Sequence, residues 1–388
     1  MHHMGFHEFS TPYDWSRIGA YKRIARQVPG GLIDLSVGSP VDEVADSIQR
    51  ALANAAGDEN ASGYPLTIGT PALRQAMAQW FHDCRHVDLA AVDAAVVPTV
   101  GSKEAVALMA SLLGLGTGDV VVQPRVSYPT YEIGTQLAGA EVLKVDDVAD
   151  VDSWRHHPGV KAVWVNSPNN PTGAVYTAAQ MARIVEAARQ IGAVTLSDEC
   201  YALMTWEHND VRRIARGGGI NAAPCALQPE VCSGSAQGII VLYSLSKQSN
   251  MAGYRTALLA GDKQILDHMS AMRKQIGMIV PGPVQAAMVA GLQDSQAVAE
   301  QYERYCQRLG ELVQGLRAYG YATTMPQGAL YVWVKAKSGD CWEDMRALAN
   351  LGIVPSPGEF YGDARYLRFS VTATDEQIRQ AAQRLAIG

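Results

Sequence analysis

Between Ala94 and Ala260 the chain alternates short apolar runs with stretches of helical period, and this alternation restricts the fold more than any other feature. Ala94 to Pro98, Val120 to Gln123, Glu141 to Val145, Lys161 to Asn166, Ala193 to Ser197, Ile239 to Tyr243 and Ala257 to Ala260 read as strands. Ser102 to Leu113, Thr130 to Leu137 and Thr177 to Ile191 read as helices between them. Several of the runs are apolar almost throughout, as strands covered by helices on both faces must be. The pattern predicts an α/β domain with a mainly parallel sheet sandwiched by helices.

The flanks read differently. Residues 1 to 40 look irregular and end in Leu32-Ile33-Asp34-Leu35-Ser36-Val37, a short strand closed by a turn at Gly38-Ser39-Pro40. Apolar residues at Val44, Ile48 and Leu52 predict a helix from Val41, and Thr70-Pro71 opens another with an N-cap and a first-turn proline. Gly217 to Gln237 reads as a loop-like insertion. After Pro283 a long helix (Ser295 to Leu316), strands at Ala329 to Val334 and Tyr366 to Val371, and a helix from Thr374 suggest a smaller α+β domain. The expected division is a large domain over 41–282 and a small one made of 1–40 with 283–388.

Composition narrows the class of function. With 48% hydrophobic and 18% charged residues, the chain has the apolar matter for a large core and is not a disordered one. The net charge is -6 and no basic cluster stands out, so neither nucleic acid nor an anionic membrane is an expected partner. The longest apolar stretch, Ala105 to Gly116, has 12 residues, too few to span a bilayer. His2, His3 and His7 lie near the N-terminus without the apolar segment of a secretory signal. The six cysteines are scattered, with no CxxC pair, which suits a reducing, cytoplasmic location and offers no metal site.

Five stretches carry chemistry. Ser244-Leu245-Ser246-Lys247 follows a strand, and Arg255 comes eight residues after the lysine. Serine hydroxyls and an arginine fork suit a phosphate, and neighbouring positive charge makes Lys247 a candidate Schiff-base nucleophile. A surface Lys and Arg with incidental serines is the plain alternative. Asp198, in Ser197-Asp198-Glu199-Cys200-Tyr201, could hold a ring nitrogen protonated or simply cap the next segment. Asn166-Ser167-Pro168-Asn169-Asn170-Pro171-Thr172-Gly173 makes a rigid turn that either aims the Asn170 amide at a ligand or only bonds locally. Gly101-Ser102-Lys103 opens a helix whose free N–H groups suit a phosphate. Arg368 lies inside the apolar strand Tyr366 to Ser370 and must be paired, with a substrate carboxylate or with a structural acid.

In this order and spacing, these stretches resemble the fold-type I pyridoxal 5'-phosphate (PLP)-dependent aminotransferases from about Asp34 to Ala386. The resemblance implies a mainly parallel seven-stranded sheet in the large domain, a smaller α+β domain and a homodimer. It gives Lys247 the Schiff base with the cofactor and the proton transfer. It gives Asp198 the pyridine nitrogen, and Tyr201 and Asn170 the phenolic oxygen. The backbone amides of Ser102 and Lys103, with Ser244, Ser246 and Arg255, take the phosphate. Tyr128 stacks on the ring, and Tyr64 reaches the phosphate of the other subunit. Arg368, with Asn170 and the Gly38 backbone, grips the α-carboxylate.

Longer runs resemble the actinobacterial type of succinyldiaminopimelate aminotransferases. They include Gly63-Tyr64-Pro65, Ser127-Tyr128-Pro129-Thr130-Tyr131-Glu132, Ser246 to Arg255 and Pro357-Gly358-Glu359-Phe360-Tyr361-Gly362. Gln248 and Asn169 depart from that pattern. The implied reaction takes an amino group from glutamate, leaving 2-oxoglutarate, and gives it to N-succinyl-2-amino-6-oxopimelate, a step of lysine and diaminopimelate biosynthesis. Aspartate, alanine or an aromatic amino acid as substrate, a carbon–sulfur lyase on the same scaffold, and a non-catalytic binding protein are the rivals. Arg125 and Lys274 are the candidates for a distal carboxylate.

Overall fold

The computed structural model describes residues 14–58, 61–206 and 219–388; His2, His3 and His7 and the first part of the Gly217 stretch lie outside them. Strand β1 (Ile33–Leu35) comes first. Seven strands follow: β2 (Ala94–Val100), β3 (Val120–Pro124), β4 (Glu141–Val145), β5 (Val160–Asn166), β6 (Val194–Asp198), β7 (Ile239–Ser244) and β8 (Thr256–Asp262). Strands β9 (Tyr331–Lys335), β10 (Ile353–Pro357) and β11 (Tyr366–Ser370) complete the set.

The seven strands form one sheet in the order β2-β8-β7-β6-β5-β3-β4. Only β8 runs antiparallel to its two neighbours; the other pairs are parallel. Alternate residues of β7 enter different cores, as a pleated strand requires. Ile239, Val241 and Tyr243 pack with Met77, Trp80 and Phe81 on one face. Ile240 and Leu242 pack with Val106, Met109 and Leu266 on the other. Burial on both faces is what the unbroken apolar runs encode.

A second sheet has the order β1-β10-β11-β9. Its apolar face (Val332, Val334, Val354, Leu367, Phe369) packs on Tyr302, Tyr305, Leu309 and Leu312 of the helix Ser295–Ala318, and on Ile378 and Leu385 of the terminal helix Asp375–Ile387. β1 pairs with β10, so the segment around residue 34 belongs to this sheet.

Three expectations need correction. The N-terminal part is not wholly irregular, since Ser16–Arg26 is a helix with Ile18 and Ala25 in the second core. The helix expected from Val41 starts at Asp46, because Asp42 is drawn away to Arg308 and Ala45 is still extended. The stretch before Gln237 contains a short helix, Pro229–Cys232. β10 escaped the sequence reading because Pro355 and Pro357 disguise it; proline cannot donate to a ladder. By contrast, Thr70 caps Pro71–Arg85 as its sequence predicts, accepting from the Leu73 amide at 3.2 Å. Among the described residues no helix is long and apolar enough to cross a membrane.

Candidate active site

The C-terminal ends of the parallel strands deliver the polar groups, where open α/β sheets take ligands. Asn166 ends β5 and Asp198 ends β6, side by side in register. Ser244 ends β7 and caps the turn of helix Leu245–Gln248 that carries Lys247.

Asp198 is buried, and its two oxygens have different partners. Tyr131 donates its hydroxyl to Oδ2 at 2.6 Å, and the Cys200 amide donates to Oδ1 at 3.1 Å. Tyr131 is itself fixed by stacking on Trp164, with ring centroids 4.5 Å apart. Burial pushes the Asp198 carboxyl above the usual carboxylate range, and the Tyr131 hydroxyl pulls it back. The adjacent Glu199 has another fate. It forms a fully buried pair with Arg85 at 2.6 Å and accepts from Ser197 and the Ala226 amide. Of the two neighbouring acids, Glu199 ties structure together and Asp198 faces the cleft.

Lys247 donates to the Gly38 carbonyl. Burial, then the positive charge of Arg368, lowers its pKa to about 8, with Arg255 adding to the fall. Cys200 opposes this. In cofactor-free protein, carbamylation of Lys247 by cyanate is therefore expected to reach half its maximum near pH 8, against the 10.5 of an ordinary lysine. Peptide mass spectrometry across pH reads this directly. A profile matching the other lysines would refute the electrostatic account.

Arg255 lies against Gly101, where φ is 76° and a side-chain carbon would run into the guanidinium. Gly101 immediately precedes the helix Ser102–Leu112, so Arg255 and that helix start share one spot. The Ser244 hydroxyl bonds the Ser246 hydroxyl at 2.9 Å and the Thr256 carbonyl at 3.3 Å, joining the serines to the strand that follows Arg255. Serine hydroxyls, a helix N-terminus and an arginine fork are the donor set of a phosphate site. Tyr128 stands beside it, edge-on to Tyr131 with centroids 5.8 Å apart, and the Lys103 ammonium lies 5.8 Å from its ring.

Arg368 is 4% exposed. It donates to Asn170 Oδ1 at 2.9 Å and to the Ser36 carbonyl at 2.8 Å. Its guanidinium lies 4.0 Å from the Tyr331 ring centre and 4.6 Å from that of Tyr361, while its Nε has no partner. Among the described residues no Asp or Glu pairs with it; its partners are an amide oxygen, a carbonyl and two rings. Asn170 is set by its loop: its amide donates to Asn166 Oδ1 at 2.8 Å, and Asn166 Nδ2 reaches the Asp198 carbonyl at 3.0 Å. Tyr201 bonds the Tyr331 hydroxyl at 2.7 Å, and Tyr331 packs against Gly38.

Lys247, Asp198, Tyr201, Asn170, Arg368, Gly38, Ser102, Ser244, Ser246, Arg255, Lys103 and Tyr128 thus converge on one cleft. Tyr64 does not join them; it is fully exposed on the chain's own surface. Arg125 is paired with the exposed Asp146 at 2.7 Å, and Lys274 sits in the last turn of helix Lys263–Gln275. The two departures from the motif are structural. Gln248 accepts from Tyr243 at 2.6 Å and Asn169 accepts from the Thr172 hydroxyl at 2.8 Å. Sequence reasoning missed Tyr131, Tyr331, Tyr361 and Ser36. Tyr131 stands in the first turn of the helix Thr130–Leu137, edge-on to Tyr128.

The chain belongs to aminotransferase class I and II, whose family model matches residues 31–385. It is 40% identical over 375 residues to 4-dedimethylamino-4-oxo-anhydrotetracycline transaminase OxyQ of Streptomyces rimosus, covering 96% of this chain and 98% of that one. Its identity to "Probable aminotransferase Rv1178" of Mycobacterium tuberculosis is also 40%, covering 96% and 84%. Among solved structures, a "probable N-succinyldiaminopimelate aminotransferase" from Thermus thermophilus superposes with a TM-score of 0.81 at 24% identity, covering 96% and 99%.

The enzyme is a PLP-dependent aminotransferase that works on amino and keto acids. The cleft fits that cofactor. Gly101 leaves the space that Arg255 uses at a helix start, the serines add hydroxyls, and Asp198 offers a buried carboxylate at the other end. When bound, PLP supplies an electron sink for the bond broken at the substrate Cα.

Proposed function

We propose that the enzyme transfers an amino group from glutamate to N-succinyl-2-amino-6-oxopimelate. The observation that carries the amino-acid part is Arg368, a buried guanidinium with no carboxylate partner among the described residues, held by Asn170, Ser36 and two tyrosine rings. Aromatic faces orient a guanidinium without neutralising it, so its charge is available to a substrate α-carboxylate.

In this reading Ser102, Lys103, Ser244, Ser246 and Arg255 hold the cofactor phosphate. Asp198 keeps the ring nitrogen protonated, Tyr201 and Asn170 donate to the phenolic oxygen, and Tyr128 covers the ring. Lys247, neutral above about pH 8, takes the proton from the substrate Cα and returns it. Its position next to Arg368 sets the Cα–H bond within its reach once the carboxylate is gripped. With its backbone amide on the phosphate, the Lys103 side chain is left free for a second carboxylate on the acceptor, since it stands by Tyr128 and its charge reaches Tyr361.

The succinylated acceptor rests on the motif runs around Tyr64, Tyr128, Lys247 and Gly358. A second reading comes from the OxyQ relationship: a large cyclic ketone as acceptor, with the same amino-donor half. Comparing kcat/KM for acceptors with glutamate as donor tests the two. The expected order puts N-succinyl-2-amino-6-oxopimelate above oxaloacetate, pyruvate and aromatic keto acids. A polycyclic ketone exceeding it would replace the proposal with the second reading. Production of pyruvate and ammonia from cysteine conjugates without a keto acid would mark a lyase instead.

We further read the molecule as a cytoplasmic homodimer in which the exposed Tyr64 reaches the partner's phosphate site. Its domains divide at 41–282 against 1–40 with 283–388, in line with the two sheets.

A further inference from the structure

The segment from Ser36 to Glu43 crosses the cleft as a strap without secondary structure, and its backbone carbonyls do much of the positioning. Ser36 O accepts from Arg368 at 2.8 Å, Val37 O from the Thr372 hydroxyl at 2.9 Å, and Gly38 O from Lys247. The Ser36 carbonyl therefore orients the candidate carboxylate grip, the Gly38 carbonyl meets the candidate base, and the Val37 carbonyl ties the strap to Thr372 between them. Backbone carbonyls can do this only if the strap itself is fixed.

Its far end is fixed by charge. Arg308 donates to both oxygens of Asp42, at 2.7 and 2.8 Å, as a fork on a fork. Gln301 adds a bond at 2.9 Å, and Arg304 approaches to 3.3 Å. Arg308 is 2% exposed and turns its Nε to Asp375, the first residue of the terminal helix, at 2.6 Å. The same cluster touches the Lys247 loop. Asn250, in a left-handed conformation three residues after Lys247, donates to the Glu43 carbonyl at 3.3 Å and to Gln301 at 2.8 Å.

We propose that Asp42 is a positioning residue for substrate binding: its clasp on Arg308, Arg304 and Gln301 holds the Ser36–Glu43 strap, and through it the orientation of Arg368. The clasp reaches Arg368 through the Ser36 carbonyl, so its effect falls on the amino or keto acid. The substrate arm of this inference rests on Arg368 gripping the α-carboxylate. The structural arm does not.

The test compares the holoenzyme with its Asp42→Asn and Arg308→Lys variants, the second keeping the charge and losing the fork. Amide hydrogen exchange over Ser36–Glu43 is expected to speed up by about tenfold or more in Asp42→Asn, with the two large cores unchanged. KM for glutamate rises about tenfold while kcat stays within about twofold, and PLP affinity is unaltered. Arg308→Lys shows the same pattern at smaller size. Exchange and KM both at wild-type values would overturn the proposal, as would a loss confined to kcat or to PLP binding. Arg368→Ala serves as the control: an unchanged KM there removes the carboxylate role, while exchange in Asp42→Asn still judges the clasp.

Discussion

Replacing Lys247 by alanine is expected to lower transamination by about 10^4-fold or more, the upper end of what one positioned acid–base group contributes. The size follows from the geometry. Lys247 is the amine beside the charged Arg368, and no other lysine joins it in the cleft except Lys103, whose ammonium lies by Tyr128. Folding is expected to survive, because Lys247 bonds a strap carbonyl and is desolvated rather than paired with an acid. Removing a desolvated amine costs the fold little. PLP remains bound through the phosphate donors, so stopped-flow assays on loaded protein isolate the chemical loss. An Lys247→Ala enzyme turning over within about tenfold of the wild type would end the assignment.

Asp198→Ala is expected to reduce kcat by about 10^3-fold, the scale of losing a preorganised charge at the reacting group. Here stability and chemistry are entangled, and the structure says how to separate them. Tyr131 is fully buried and donates to Asp198 at 2.6 Å, so the truncation leaves a buried hydroxyl without its acceptor. That costs about 1–3 kcal/mol. The double variant Asp198→Ala, Tyr131→Phe removes both partners and is expected to regain most of the lost melting temperature without regaining activity. If stability and activity return together, Asp198 is a folding residue and its chemical role is wrong. Tyr131→Phe alone keeps the acid but loses a bond that pulls its pKa down, so the Asp198 carboxylate should accept a proton at higher pH.

The sequence revealed the parts of the site that are local. Asp198 and Lys247 each follow an apolar run, and a strand end at the C-terminal edge of a parallel sheet is readable from a dozen neighbouring residues. Arg368 was conspicuous because charge inside an apolar strand demands a partner. The partners themselves were hidden. Tyr131 and Asp198 are 67 residues apart, and Arg308 and Asp42 are 266 apart. No periodicity connects them; only the packed sheets bring them together. The same long-range demand explains the misplaced helix start. Spacing alone favours a helix from Val41, yet Asp42 is bound to Arg308 and the chain forms no helix before Asp46. Arg368 illustrates the limit most clearly. Its need for a partner was legible, but that its protein partners are carbonyls and rings rather than an acid required the positions of Ser36, Tyr331 and Tyr361.

The most direct test of the account is the absorbance of the purified PLP-loaded enzyme mixed with one amino acid and no keto acid. Glutamate and N-succinyl-LL-2,6-diaminopimelate are each expected to bleach the visible band of the bound cofactor as the amino group is taken up, the latter at lower concentration. An added keto acid should then restore the band. A band that neither amino acid bleaches, or a protein that gains no band when PLP is supplied, would contradict the assignment of Lys247, Asp198 and Arg368 to an aminotransferase site.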